Sequence, residues 1–461
     1  MNNSRNHCRI SMSVILAVLI AACSGKKGEE KSSSAFTVPV EYYKLKNGLK
    51  VALSQDKTAP TVAVAVYYNI GFRIEPKDRT GFAHLFEHMM FQGSENLGKM
   101  EFIKLVQQNG GIMNGSTRFD FTNYFEVMPA HKFETALWAE GDRMKGLAIN
   151  QDNLTNQQGV VKNEVKVNVL NQPYGGFPWL DMPQYANENW YNAHNFYGDL
   201  ADLDSAKLAD VNSFFKTYYA PNNAALAIVG DFEVEDARKW IEQYFGNIPS
   251  QTLPPKPDIS EPRQEKEKRF TKEDKLATKP AIAIAYKMPE RNSAEYYAMG
   301  LIDQIMLQGQ DSKLNLLLVQ KKGYTDNVSG GINYLGNMYN YQGPMIWMVD
   351  LIYDASVPAD SIIAQFDRSV AGLDTISQAD IDLAVVKIRS SLYDNMGQFF
   401  GIGRADLLAC FALFDDDPSR INSLEGEFKK ITPEVIQKTV KEYLRSTNRT
   451  ILISEPKSIA Q

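Results

Sequence analysis

Two histidines and a glutamate share one short apolar segment of the chain. His84, Glu87 and His88 lie in a run without glycine or proline between Ala83 and Phe91, and its apolar spacing predicts a helix. Residues three and four apart lie on one face of a helix, so the three polar side chains point the same way. Two imidazoles at this spacing can hold one Zn²⁺, and the carboxylate can take a proton from a water on the metal. The pattern, H-x-x-E-H, inverts the better-known H-E-x-x-H.

The alternative for this segment is an ordinary amphipathic helix whose polar residues face water. Its many apolar side chains leave little outer face, and burying two histidines and a glutamate without partners would be costly. The chain has only five histidines, so a chance pair framing a glutamate at this spacing would be rare. We therefore prefer the metal site.

A catalytic zinc ion takes three protein ligands and leaves one position for water. A candidate for the third ligand is Glu164, within residues 157–167, a stretch that also has the pattern of a helix. A glutamate on a helix is usually just solvated, and spacing alone does not select this one among the acidic residues. From the residues alone, the third ligand stays open.

Together these segments resemble the pitrilysin-like zinc metallopeptidases, the family of insulin-degrading enzyme and the mitochondrial processing peptidase. That family carries H-x-x-E-H and a ligand glutamate in a V-V-x-x-E context, which residues 160–164 match. The resemblance is strong over residues 40–250, weaker beyond, and closest to processing-peptidase-like bacterial lipoproteins. The further matching segments are residues 109–117, 122–125, 136–138, 142–144, 171–175 and 219–223.

The resemblance implies a ligand set for one zinc ion per chain, namely His84, His88 and Glu164. It also implies that Glu87 is the general base. One position departs from the pattern: the glutamate that often orients a ligand histidine, seven residues before the ligand glutamate, is Gln157 here. An amide can still accept a hydrogen bond from an imidazole but raises ligand basicity less. We expect altered tuning of the metal rather than its loss.

Substrate binding is expected on a strand predicted at residues 112–118. By resemblance, Asn114 and Gly115 occupy the family's Asn-Ala position on this strand, whose free edge could pair with an extended peptide. From the residues alone, Asn114 would be a structural amide beside a turn.

The second half of the chain departs further from the family pattern. Catalytically complete members use an arginine and a tyrosine there to hold the substrate backbone. The nearest counterpart is residues 318–326, where Val319 and Asp326 stand at those positions. Neither side chain can do this work. We therefore expect a homologous partner subunit, or a second copy of the chain, to supply the pair.

The elements that must position these residues follow from periodicity and turn signals. A hairpin is predicted around Asn47 and Gly48, because Asn-Gly between alternating runs favours that turn. Strands are predicted at 61–68, 112–118, 121–128 and 224–230, and helices near 99–108, 131–147, 151–170, 207–218 and 234–245. Residues 216–228 are echoed by 441–453, and 61–68 by 281–286. The predicted fold is α+β with two homologous halves, each a mixed or antiparallel sheet packed against helices.

The predicted organisation begins with a lipoprotein signal peptide, residues 1–22, whose apolar run is too short to span a membrane as a helix. The residues before Cys23 resemble a lipobox, which would leave a lipidated cysteine and a polar tether, residues 23–36. The alternative is an ordinary secretory signal in which the cysteine is incidental. A zinc peptidase domain (37–250), a proline-rich linker (251–264) and a non-catalytic domain (265–461) follow.

Composition limits the classes of partner that the chain could bind. The chain has 461 residues and a formal net charge of −6, and no basic, aromatic-rich stretch suggests nucleic acid. Of the three cysteines, Cys8 would leave with the signal and Cys23 would be acylated. Cys410 remains alone in an apolar segment, so no disulfide is expected. The predicted location is the bacterial cell envelope, as a periplasmic lipoprotein anchored in the outer membrane through Cys23.

Two functions follow from these observations. The preferred one is a zinc endopeptidase that hydrolyses peptides or unfolded segments in the envelope, as the zinc-bearing subunit of a dimer. The alternative is a non-catalytic scaffold or assembly subunit of a pitrilysin-like complex, a role that some family relatives have. The intact His84, Glu87, His88 and Glu164 favour the first.

Overall fold

The structure is a computed structural model that describes residues 36–457, apart from the side chain of Phe399. The predicted signal peptide, the acylated Cys23 and the tether as far as residue 35 lie outside the described residues. From Pro39 onward the chain forms one compact unit. Residues 251–264, the predicted linker, contain no helix or strand.

A six-stranded sheet forms the first half. Its strands are β1 (Glu41–Lys44), β2 (Lys50–Gln55), β3 (Thr61–Tyr68), β4 (Ile112–Thr117), β5 (Thr122–Pro129) and β6 (Ala224–Gly230). Their order across the sheet is β1-β2-β6-β3-β5-β4, which leaves β4 on an edge. β1 and β2 form the predicted hairpin, and Gly48 has the positive φ, 90°, that its turn needs.

The described part of the first half contains nine helices, of which Asp181–Ala186 packs against the sheet of the second half. They are α1 (Phe82–Met89), α2 (Glu101–Gln108), α3 (Phe133–Lys145), α4 (Gln151–Val165), α5 (Asp181–Ala186), α6 (Trp190–Ala193), α7 (Leu200–Ser205), α8 (Leu208–Tyr218) and α9 (Val234–Phe245). The helix predicted over 151–170 changes near its end, where α4 passes into a π-helical turn, Lys166–Leu170. Alternate residues of β3, such as Val64, pack with Phe86 of α1 in one apolar core. This burial holds α1 against the sheet.

The sheet of the second half repeats the pattern of the first. Its strands are β7 (Lys268–Asp274), β8 (Ala281–Lys287), β9 (Ser329–Ile332), β10 (Ile346–Ile352) and β11 (Arg449–Pro456), in the order β7-β11-β8-β10-β9. β11 pairs parallel with β7 and antiparallel with β8, as β6 pairs parallel with β2 and antiparallel with β3. The predicted α+β fold with two similar halves is confirmed.

The helices of the second half are α10 (Ala294–Met306), α11 (Ala359–Ala371), α12 (Gln378–Gly397), α13 (Ile402–Asp415), α14 (Leu424–Lys429) and α15 (Pro433–Tyr443), with a π-helical segment at Asn315–Lys321. Short 3₁₀ turns lie at Phe72–Ile74, Ala130–Lys132, Pro221–Asn223, Gly372–Thr375, Gln398–Gly401, Pro418–Asn422 and Ser446–Asn448. Within residues 36–457, no single helix has both the length and the apolar character to cross a membrane, although the bent pair α12 and α13 meets these criteria jointly.

Helix α13 joins the two halves by packing on the face of the first sheet opposite α1. Side chains alternate between the faces of a strand, so Tyr67 of β3 points away from the core valines. Its hydroxyl donates to Asp406 Oδ1 at 2.8 Å. The rings of Phe121 and Phe414 lie 6.3 Å apart at the same interface. Cys410 is buried here as a free thiol.

Candidate metal centre

Helix α1 begins beside a buried carboxylate. Gly81 precedes the helix with φ of 84°, and a Cβ there would lie 2.9 Å from the carbonyl oxygen of Tyr197. Glycine alone suits both restraints. The Glu75 carboxylate accepts hydrogen bonds from the N–H groups of Gly81 (2.9 Å) and Ala83 (2.6 Å). It therefore satisfies two of the free donors at the helix start and fixes where the helix begins.

Helices α1 and α4 bring His84, His88 and Glu164 together, with one ligand atom from each lying within 4.8 Å of the others. The two histidine Nε2 atoms are 3.3 Å apart. Glu164 Oε1 lies 3.5 Å from His84 Nε2, and Oε2 lies 3.3 Å from His88 Nε2. Tetrahedral zinc with bonds of roughly 2.0–2.1 Å places neighbouring ligand atoms about 3.3–3.4 Å apart. The three side chains therefore fit one shared ion.

The exposure and charge of this metal trio (His84, His88 and Glu164) also suit a catalytic ion. The side chains are 8%, 20% and 29% exposed respectively, so the cluster is accessible from one side. An open side is what a substrate or water needs to reach a fourth coordination position. Hydrogen bonds with the two histidines hold the pKa of Glu164 well below its usual range, so this carboxylate stays negative.

Glu87 lies on the same helix but does not belong to the metal trio. Its Oε2 accepts a hydrogen bond of 2.7 Å from the hydroxyl of Thr117, at the end of β4. A carboxylate beside the metal trio, and anchored from the neighbouring strand, can serve as a general base. The H-x-x-E-H spacing did not point to Thr117, which lies on a different element.

The two predicted substrate-binding residues lie on edge strand β4. Asn114 is exposed, and its Oδ1 accepts the N–H of Gly115 at 2.9 Å. A Cβ on Gly115 would lie 3.3 Å from Glu87 Cγ and 3.2 Å from the ring of Tyr124. Gly115 thus lets β4 pass close to Glu87. The structure places Gly115 beside Glu87 and Asn114 next to it on the strand, and the contact of both residues with substrate stays a prediction.

Two models of one peptidase family match the chain in succession. The model described as insulinase (peptidase family M16) matches residues 50–189, and the model described as peptidase M16 inactive domain matches residues 205–385. The chain belongs to the pitrilysin-like M16 family. The resemblance inferred from its motifs is confirmed.

Relatives of this M16 chain include named zinc proteases. It is 23% identical to zinc protease PqqE of Helicobacter pylori, over 93% of this chain and 96% of the relative. It is 20% identical to mitochondrial-processing peptidase subunit beta of Saccharomyces cerevisiae, over 76% and 77% of the two chains.

Solved structures show the same fold. A protease from Helicobacter pylori superposes with a TM-score of 0.83 at 23% identity, covering 91% of this chain and 100% of the other. A peptidase M16 inactive domain from Pseudomonas fluorescens superposes with a TM-score of 0.80 at 18% identity, covering 92% and 99%.

The second half of the M16 chain lacks a counterpart of the metal trio. Helix α10 follows β8 as α1 follows β3, but it carries no H-x-x-E-H. Among residues 36–457, the metal trio is the one group of three histidine, cysteine or acidic side chains found close enough to hold an ion. Val319 lies in the π-helical segment and Asp326 in the loop before β9.

Among the described residues, Gln157 does not make the expected hydrogen bond with His84. Gln157 is buried, but its Nε2 donates to Asn156 Oδ1 at 2.8 Å. His84 Nδ1 is buried and has no hydrogen-bond partner among the described residues. No described side chain therefore orients the His84 ring through its Nδ1 atom.

An aromatic residue absent from the motif contacts the metal trio. The Tyr197 hydroxyl lies 3.3 Å from Glu164 Oε1, and its ring meets the His84 ring edge-on at 5.1 Å. The Trp179 ring also packs against this ring, with centroids 5.4 Å apart. Burial and the Glu164 charge raise the pKa of Tyr197 to about 12, so its hydroxyl remains a donor at neutral pH. No spacing rule reaches Tyr197, because it lies in an irregular loop before α7.

Proposed function

We propose that this chain is a zinc endopeptidase that hydrolyses peptides or unfolded segments in the bacterial cell envelope. The observation that carries the proposal is the convergence of His84, His88 and Glu164 at separations that one tetrahedral ion requires. Membership of a family with named zinc proteases supports it. We further propose one zinc ion per chain, because the described residues hold one such cluster.

The chemistry divides between the ion and the side chains. When bound, zinc supplies Lewis acidity, which makes a water molecule more acidic and polarises a peptide carbonyl. Glu87 takes the proton from the attacking water and later passes it to the leaving amine. Thr117 holds one oxygen of Glu87, which leaves the other oxygen free for this transfer. His84, His88 and Glu164 provide a net negative ligand set.

Strand β4 is the proposed site for the peptide backbone. It is an edge strand, so its outer N–H and C=O groups are available to an added strand. Asn114 and Gly115 stand halfway along β4, and Gly115 lies against Glu87. A peptide paired there would run past the general base in the extended conformation that cleavage requires.

We propose that a second subunit, either homologous or a second copy, completes the substrate site. Val319 and Asp326 replace the arginine and tyrosine expected in the second half. Two relatives are named as subunits of larger assemblies: mitochondrial-processing peptidase subunit beta, and cytochrome b-c1 complex subunit 1 of Homo sapiens.

The proposed location is the periplasmic face of the envelope, with an anchor at Cys23. A similar fold occurs in the periplasmic protease PqqL from Escherichia coli, with a TM-score of 0.73 at 16% identity, and this chain covers 48% of it. The lipobox-like residues before Cys23 support lipidation.

A second candidate function is a non-catalytic subunit. The match of residues 205–385 to an inactive domain favours it. The complete set of His84, Glu87, His88 and Glu164 weighs against it, because an idle site has no need to keep a general base beside three ligands.

The test combines a measurement of zinc content with an assay of peptide cleavage. We expect about one zinc per chain in the wild type by elemental analysis, and loss of zinc in Glu164→Ala, because two histidines alone form an incomplete site. Glu87→Gln should retain zinc while its cleavage of a peptide library falls by about 10²–10⁴-fold, the range for removing a general base. Asp204→Asn, on the surface of α7, is the control and should keep both properties.

The outcomes separate the two functions. A wild-type chain that binds no zinc would refute the peptidase. Zinc binding without cleavage, in the chain alone and with co-purified partners, would favour the non-catalytic subunit. Full activity from a strictly monomeric chain would refute the proposed second subunit but leave the peptidase intact.

A further inference from the structure

The loop that carries Tyr197 is hydrogen-bonded to the residues just before α1. The N–H of Asp199 donates to Thr80 Oγ1 at 2.8 Å, and the Thr80 hydroxyl donates to Asp202 Oδ2 at 2.6 Å. Gly198, with φ of 83°, lies so close to Gly81 that a Cβ would come within 2.5 Å of its backbone. These contacts fix the position of Tyr197 relative to His84, which lies one helical turn after Thr80 and Gly81.

The aromatic ring of Tyr197 packs against two neighbouring rings. It meets the His84 ring at 5.1 Å with an interplanar angle of 74°, and the Trp179 ring at 5.4 Å with an angle of 70°. Edge-to-face pairs at these separations are favourable. Trp179 is itself anchored, because its Nε1 donates to Gly175 O at 3.0 Å. The ring thus presents its hydroxyl from a preset direction.

That hydroxyl lies against the metal trio. It is 3.3 Å from Glu164 Oε1, the oxygen that faces His84. Glu164 lies at the end of α4, two residues before the π-helical turn that begins at Lys166, and its side chain is 29% exposed. A carboxylate in such a position has rotamer freedom unless an outer partner restrains it. Tyr197 is that partner.

We propose that Tyr197 is a positioning residue of the metal centre. Its hydroxyl donates to Glu164 and holds this carboxylate in the orientation that lets it share an ion with His84 and His88. Outer hydrogen-bond partners of metal ligands set ligand orientation, and losing one typically costs about 10–100-fold in metal affinity. The contribution matters more here because His84 Nδ1 has no such partner among the described residues. The inference rests on the proposed function, since it requires that the metal trio binds zinc.

The experiment measures zinc affinity of the full chain by competition with a chelating indicator, starting from metal-free protein. Tyr197→Phe removes the hydroxyl and keeps the ring that packs between His84 and Trp179. The matched control is Tyr244→Phe, because Tyr244 also donates to a glutamate, Glu134, at 2.8 Å, between α9 and α3. We expect Tyr197→Phe to bind zinc about 10–100-fold more weakly and Tyr244→Phe to match the wild type.

A second measurement shows whether the hydroxyl acts through Glu164. In a double-mutant cycle, zinc is raised to concentrations that fill the residual two-histidine site of Glu164→Ala, and adding Tyr197→Phe should then lower zinc affinity no further, because the acceptor is already gone. The melting temperature of the metal-free Tyr197→Phe protein should equal that of the wild type, which separates positioning from folding.

Three results would overturn the inference. They are an unchanged zinc affinity in Tyr197→Phe, an additive loss in the double variant, and a loss of cleavage at full zinc occupancy with unchanged affinity. The last result would instead make Tyr197 a group that contacts substrate. If the wild type itself binds no zinc, the proposed function has failed and not this inference alone.

Discussion

The position of the Glu87 carboxylate depends on a hydroxyl from another element. Helical spacing directs Glu87 to the same side as His84 and His88, but a glutamate side chain has several rotamers there. The Thr117 hydroxyl selects one by donating to Oε2 at 2.7 Å. The carboxylate is thereby preorganised, which reduces the entropy lost on reaching the reactive geometry.

We predict that Thr117→Val lowers kcat by about tenfold, because losing a hydrogen bond to a charged group is worth roughly 1.5–3 kcal/mol, only part of which would affect the transition state. Valine keeps the shape of threonine, so KM and zinc content should stay near wild type. Thr117→Ser keeps a hydroxyl and should restore most of the rate. If Thr117→Val and Thr117→Ser have equal rates, the hydroxyl does not position the base.

At the scale of elements, helix α1 depends on how its first turn is capped. The buried Glu75 carboxylate receives two N–H groups at the helix start, where a chain otherwise leaves donors unpaired. Helix α2 has a comparable contact, because Glu101 accepts the N–H of Gly98 at 2.7 Å, but in an exposed position. The two caps differ in burial and in the number of N–H groups accepted, which is two for Glu75 and one for Glu101.

We predict that Glu75→Ala lowers the free energy of unfolding by about 2 kcal/mol or more, since it removes a cap and leaves two buried donors without an acceptor. Glu101→Ala, the exposed counterpart, should cost much less because water replaces the lost acceptor. Urea unfolding followed by circular dichroism gives both values. Equal losses in the two variants would show that burial of Glu75 does not matter.

Helix α10 of the second half carries a buried carboxylate with a pH-dependent effect. Asp303 accepts hydrogen bonds from Trp347 Nε1 (2.7 Å) and Gln308 Nε2 (3.0 Å). Burial raises its pKa to about 6, although these two hydrogen bonds oppose the rise. The folded state therefore disfavours the charged form that the unfolded chain takes above pH 4 or so.

The raised pKa makes Asp303 lower the free energy of unfolding as pH rises. This loss of stability is absent below about pH 4, grows as pH rises towards about 6, and stays constant above that value. We predict that the difference in unfolding free energy between Asp303→Asn and the wild type shifts in favour of the variant by up to about 3 kcal/mol from pH 4 to pH 7.5. Denaturant unfolding at the two pH values measures it. A gain that does not change with pH would contradict the assignment.

At the scale of the whole molecule, a buried charge pair links the halves. Arg73 Nε donates to Asp120 Oδ1 at 2.7 Å, and both side chains are almost fully buried. The other oxygen, Asp120 Oδ2, accepts the N–H groups of Gln342 (2.8 Å) and Gly343 (3.2 Å) in the second half. One carboxylate therefore joins the first half to a loop of the second.

We predict that Asp120→Ala destabilises the protein by about 3–5 kcal/mol, because it leaves the buried Arg73 charge uncompensated and two backbone donors unpaired. The surface pair of Lys57 and Glu233 is the comparison, and Glu233→Gln should change stability little. Thermal unfolding of the two variants measures the difference. If Asp120→Ala unfolds at the same temperature as the wild type, the pair of Arg73 and Asp120 does not hold the halves together.

The two halves repeat one sheet pattern but differ in the residues that could hold a metal ion. β2-β6-β3-β5-β4 and β7-β11-β8-β10-β9 share their pairing directions, yet only α1 carries H-x-x-E-H. The second half instead supplies α13, which covers the free face of the first sheet. The same fold thus carries the proposed metal site in one half and packs against that half in the other.

Local spacing was enough for the sequence to determine one part of this site. His84, Glu87 and His88 share a helix face because helical geometry depends on neighbours within one turn. The hairpin at Asn47 and Gly48, and the repeat of strands, are local patterns of the same kind.

Partners that come from distant segments were decided only by the tertiary structure. Glu164 needed the family resemblance, because many glutamates have the same local pattern. Thr117 and Tyr197 had no signal in the sequence, since each reaches the centre through packing of β4 or an irregular loop against α1. The unpartnered Nδ1 of His84 also became visible only there. Such contacts depend on how whole elements pack together, and no periodicity within one segment encodes that arrangement.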